Sequence, residues 1–128
     1  MIKIFSNPAQ IEKEAKQRLG IPVFLMIEHA AQSMANFIIN HYPENPDVLI
    51  LAGKGNNGAD VYSLSRRLLE KNYPSSRYIY SFEPPKGLEA ETQYKMCSSL
   101  KADYQLEFIS AEKLSSLLEI KNPHRLLI

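Results

Sequence analysis

Residues 49–69 read Leu-Ile-Leu-Ala-Gly-Lys-Gly-Asn-Asn-Gly-Ala-Asp-Val-Tyr-Ser-Leu-Ser-Arg-Arg-Leu-Leu. A short apolar run, Val48 to Leu51, empties into a turn carrying Gly53, Gly55 and Gly58. An amphipathic segment follows, with Val61, Leu64 and Leu68 on one face. Strand, glycine turn and helix is the order this pattern predicts, and the glycines fall at G-x-G-x-x-G spacing in that context. Glycine lets the chain turn with positive φ and lets a ligand approach the backbone. The start of a helix leaves N–H groups without intrahelical partners, aimed at an anion such as a phosphate. Gly53, Gly55 and Gly58 are therefore read as a phosphate loop, to which Asn56 and Asn57 add amides and Asp60 a carboxylate.

Around this loop the 128 residues suffice for one domain with a real core. A formal net charge of +1 and the lack of any basic tract argue against a nucleic-acid binder. Charge runs such as Glu12-Lys13-Glu14, with Lys16 and Arg18, suit the solvated surface of a helix. Cys97 is the single cysteine, which excludes an intramolecular disulfide and a cysteine-based metal site and fits a packing role. His29, His41 and His124 show no metal-ligand spacing. Met1 to Phe5 is too short for the apolar part of a signal peptide. Ile21 to Ile39 is interrupted by Glu28, His29, Gln32, Ser33 and Asn36, so it is not read as a membrane span. The cytoplasm is the expected compartment.

Asn7-Pro8-Ala9-Gln10 predicts a helix start, with Asn7 as cap and Pro8 at the first helical position, and Gly20 predicts its stop after Leu19. Pro22 opens a second helix, with Val23, Ile27, Ala30, Ala31, Met34 and Ile38 facing the core and His41 at the end. The first strand, Asp47 to Ala52, is nearly all apolar, as suits a parallel strand covered on both faces. After the loop a helix runs to about Lys71, and Asn72-Tyr73-Pro74-Ser75 is turn chemistry. Arg77 to Phe82 reads as a second strand and Leu88 to Leu100 as a helix with Leu88, Thr92 and Met96 in phase. Leu106 to Ile109 is a third strand; Ser110 caps a helix to about Ile120 with Leu114, Leu117 and Leu118 as its apolar edge. Arg125 to Ile128 begins a further apolar run. Strand and helix alternate, which predicts an α/β three-layer fold with a mostly parallel sheet.

A dehydrogenase-type unit wants an acidic residue about 20 residues further on, at the end of the next strand. Glu83 stands somewhat late for it and is read as an ordinary loop carboxylate. Asn56-Asn57 is also unusual in such a turn. Two amides and Asp60 suggest polar coordination beyond a pyrophosphate, including of a hard cation that takes oxygen ligands.

Gly53-Lys54-Gly55-Asn56-Asn57-Gly58-Ala59-Asp60 resembles the GxGNNGGD signature of the YjeF N-terminal domain family, the NAD(P)H-hydrate epimerases. Gly20-Ile21-Pro22 and Met26-Ile27-Glu28-His29-Ala30-Ala31 resemble that family's GIP and L-M-E-N-A-G segments, and Asn7 to Leu19 its opening helix. The resemblance covers Ile4 to about Leu69 and implies a Rossmann-like αβα sandwich. It further implies epimerisation at C6 of hydrated NADH or NADPH, a repair of damaged cofactor. An ADP- or ATP-dependent NAD(P)H-hydrate dehydratase would act downstream. By the same resemblance Asn56, Asn57, Gly58, Ala59 and Asp60 bind substrate, Asn57 helps hold a potassium ion, and the first two helices could serve a homodimer.

Several positions depart from the family's pattern. Lys54 replaces a common proline, Ala59 and Val61 replace glycines, and His29 and Ala31 replace asparagine and glycine. Ala59 adds a methyl group where the family lets the backbone approach closely. The family's next landmark, Asp-Ala-x-x-Gly-x-Gly, would end a strand that begins at Leu126, which places the catalytic aspartate beyond Ile128. The resemblance thus implies a single domain over residues 1–128 lacking its C-terminal part, with activity impaired and no catalytic residue assigned within the chain. A non-catalytic nucleotide-binding scaffold is the alternative reading. A dehydrogenase domain is the third, disfavoured by Asn56-Asn57 and the absence of a substrate domain.

Overall fold

The computed structural model describes residues 7–73, 78–104, 106–122 and 125–128. The expectations for Met1 to Phe5, Pro74-Ser75, Arg77 and His124 lie outside the described residues. Helix α1 (Pro8–Leu19) is capped by the Asn7 side chain, which accepts from the Ala9 N–H at 3.0 Å, and Gly20 closes it in the left-handed region. Helix α2 (Val23–His41) starts one residue later than expected, because Pro22 takes the cap position with an extended backbone. Strand β1 (Asp47–Ala52), helix α3 (Gly55–Glu70) and strand β2 (Tyr78–Ser81) follow. Helix α4 (Leu88–Ser99), the short α5 (Lys101–Tyr104), β3 (Glu107–Phe108), α6 (Ala111–Glu119) and β4 (Arg125–Leu127) complete the order.

The strands form one parallel sheet in the order β3-β2-β1-β4. The chain steps outward from β1 through β2 to β3, then crosses back by α6 to place β4 on the other side of β1. That reversal makes the carboxyl ends of β1 and β4 the switch point, where open α/β sheets bind ligands.

Pleating sorts β1 between two layers. Val48, Ile50 and Ala52 turn to α2, α3 and α4 and share a core with Ala31, Tyr62, Leu68 and Cys97. Leu49 turns the other way and packs with Ile109 and with Leu117 of α6, so β1 is buried on both faces. This is the three-layer, Rossmann-like arrangement the alternation of elements predicts.

Two helix faces differ from expectation. On α2 the buried residues are Ile27, Ala31, Ala35 and Ile38, whereas Ala30 is exposed. On α4 Leu88 and Met96 are exposed, and Ala90, Gln93 and Cys97 face inward. The second difference has an electrostatic cause: Gln93 is drawn in by a carboxylate on α2.

Candidate functional site

Helix α3 begins at Gly55, earlier than the glycine spacing suggests, so Asn56 and Asn57 stand in its first turn and Gly58 lies inside the helix. Gly55 has φ of +66°, a conformation glycine adopts without strain. At Gly58 the requirement is space, since an added Cβ would lie 2.3 Å from the Gly53 carbonyl oxygen. Only glycine lets the helix start sit this close to the end of β1. At Gly53 an added Cβ meets nothing within 4 Å.

The first turn of α3 is open chemically. Lys54 is its cap residue and makes no side-chain capping bond, and no acidic residue stands in the turn. Its N–H groups and the positive end of the helix dipole therefore face the switch point. Asn56 and Asn57 are exposed beside them.

Asn56 and Asp60 line a cleft of about 160 Å³ between α1, α2 and α3, together with Glu12, Lys13 and Lys16. Burial, and secondarily the charge of Glu12, push the Asp60 carboxyl above its usual range. Asn57 does not line this cleft. The Ala59 methyl, expected to crowd the ligand, instead packs inward with Ile27 and Ala90.

Behind the loop lies a polar hub that the sequence reading missed. Glu28 of α2 accepts hydrogen bonds from Ser63 Oγ at 2.8 Å, Arg66 Nη2 at 2.5 Å and Gln93 Nε2 at 2.8 Å, and from Arg67 Nη2. Burial alone would raise the Glu28 carboxyl, but the bonds from Arg66, Ser63 and Gln93 outweigh it and hold the pKa at about 2. Glu28 thereby ties α2 to α3 and α4. Its signal in the sequence is one carboxylate on a largely apolar helix, opposite two adjacent arginines.

Tyr62 and Ser81 share a hydrogen bond of 2.6 Å, fixing α3 against the carboxyl end of β2. Cys97 is buried, donates from Sγ to the Tyr62 carbonyl at 3.0 Å, and has its pKa pushed up to about 11 by burial, as suits an inert packing residue.

A Rossmann-like α/β domain with an uncapped helix start at its switch point is the class this geometry defines. The family profile "YjeF-related protein N-terminus" matches residues 24–128, and the chain belongs to that family. The NAD(P)H-hydrate epimerase of Limosilactobacillus fermentum is 35% identical over 51 residues, covering 40% of this chain and 24% of that protein. The bifunctional NAD(P)H-hydrate repair enzyme Nnr of Helicobacter pylori is 29% identical over 69 residues, covering 54% of this chain and 15% of its own length. The NAD(P)H-hydrate epimerase of Caenorhabditis elegans is 34% identical over 68 residues, covering 53% of this chain and 28% of its own. The matches thus span less than a third of each of these relatives. Among the described residues no helix is long and apolar enough to cross a membrane, and no three His, Cys, Asp or Glu side chains gather as metal ligands.

Proposed function

We propose that this chain binds hydrated NADH or NADPH at the β1–α3 loop and contributes to epimerising its C6 centre. The carrying observation is the space that Gly58 leaves for the Gly53 carbonyl, which a Cβ there would meet at 2.3 Å, with the uncapped first turn of α3 at the switch point of the sheet. Membership of the family and the names of its relatives support the substrate class. In this reading the N–H groups of the turn hold a phosphate. Asn56 and Asn57 orient the substrate with directional amides, and Asp60 offers a carboxyl able to take or give a proton.

Asn57 supplies one exposed amide oxygen toward the potassium ion, whereas a hard cation takes several oxygen ligands at once. The described residues do not by themselves make that site. A dehydratase as downstream partner fits the bifunctional relatives, and a homodimer and a cytoplasmic location belong to the same reading.

The test supplies the epimer that a stereospecific dehydratase rejects, together with that dehydratase. The chain is expected to accelerate recovery of NADH above the spontaneous rate, and Asp60→Ala to lose at least about tenfold of the acceleration. No acceleration contradicts the epimerase reading. Nucleotide-dependent thermal stabilisation without turnover would leave the binding scaffold in its place.

A further inference from the structure

A second cavity opens on the same edge of the sheet, at the carboxyl ends of β2 and β3, and the loop chemistry does not use it. It measures about 370 Å³, within the roughly 300–1,000 Å³ of small-molecule pockets. Ile79, Ser81, Phe82 and Glu83 line it from β2 and the turn after it, Tyr94 from α4 and Phe108 from β3. The rings of Tyr94 and Phe108 lie 4.9 Å apart, tilted by 57°, while the Phe82 ring meets Tyr80 in a T-shaped contact at 5.1 Å and is 59% exposed. Among the described residues the lining includes one carboxylate, Glu83, and no lysine or arginine.

Its position is continuous with the glycine loop. Ala52 pairs with Ser81, and the Phe82 N–H donates to the Ala52 carbonyl at 3.1 Å, so the backbone entering the cavity runs beside Gly53. A molecule with a phosphate on the first turn of α3 would reach over the end of β2 directly into this space. There it would meet an aromatic face suited to a flat base and a carboxylate suited to accept from a ribose diol.

We propose that the cavity seats the adenosine of the dinucleotide, with the base against Phe82 and the ribose hydroxyls on Glu83. The proposal rests on the dinucleotide reading of the β1–α3 loop and adds a specificity to it. A carboxylate at the ribose repels a 2′-phosphate, so the unphosphorylated cofactor is the preferred form.

The intact chain is titrated calorimetrically with AMP, with adenosine 2′,5′-bisphosphate and with nicotinamide mononucleotide. AMP is expected to bind at least about tenfold more tightly than the bisphosphate, and Glu83→Gln to narrow that preference to about threefold or less. Phe82→Ala, at an exposed position, is expected to keep the melting temperature and weaken AMP about fivefold or more while leaving nicotinamide mononucleotide unchanged. Equal AMP affinity in Phe82→Ala and the unaltered chain overturns the assignment. A preference for the bisphosphate that Glu83→Gln does not move overturns it as well. Binding of nicotinamide mononucleotide without AMP overturns the cavity assignment and leaves the loop reading standing, and binding of neither overturns both.

Discussion

Replacing Glu28 by alanine is expected to destabilise the fold by about 2–3 kcal/mol, lowering the melting temperature by on the order of 10 °C. The variant leaves two guanidinium groups without the carboxylate that joins them to α2. Among the described residues Arg66 and Arg67 then keep ion pairs only with Glu70, which is 44% exposed and gives a weakly held pair. Breaking a fully buried pair costs roughly 3–5 kcal/mol. The Glu28 side chain is 21% exposed, so the expected loss falls below that range. The same residue sets a pH dependence. Its folded pKa of about 2 lies under the ordinary carboxyl value of 4.5, so its contribution is complete above about pH 4.5 and is lost as pH falls toward 2. Acid titration of thermal stability should therefore show a loss in this window that Glu28→Gln flattens. Equal acid sensitivity in the two proteins would exclude Glu28 as its source.

Gly58→Ala is expected to do comparable damage by a different route. Its methyl group would meet a backbone carbonyl at 2.3 Å, and neither atom belongs to a side chain that can rotate away. The start of α3 must then move off the end of β1, at about 2–3 kcal/mol in stability and more than about tenfold in nucleotide affinity. Gly53→Ala is the matched control. Its Cβ enters open space at ordinary φ, and the expected change is within about 0.5 kcal/mol. Denaturant unfolding of the two variants checks the pair, and equal effects at the two positions would contradict the close-approach role of Gly58.

Much of the fold was legible because the local signals agreed with the tertiary arrangement. Val48 to Ala52 is apolar on both faces of the pleat, and the structure covers both. Asn7, Gly20 and Ser110 act as caps because their side chain or missing Cβ suits those positions without help from distant residues. The errors came where distant partners decide. Gln93 faces inward beside Ala90 and Cys97, where Glu28, 65 residues earlier, supplies a part-buried acceptor, and the inward face of α4 leaves Leu88 and Met96 outside. The spacing of Arg66 and Arg67 on α3 reads equally well as solvated surface until α2 is docked. At the loop, sequence named the residues but not their division of labour: Gly58 makes room, Ala59 belongs to the core, and Asn56, Asn57 and Asp60 remain open to a ligand.

Placement of the dinucleotide on the β1–α3 loop is tested most directly by the backbone amide resonances of residues 53–60 during titration with hydrated NADH. Saturable shifts centred on Gly55 to Gly58, lost in Gly58→Ala and retained in Gly53→Ala, are the expected result. Amides that stay unmoved at millimolar ligand, or shifts confined to residues outside the loop, would contradict it.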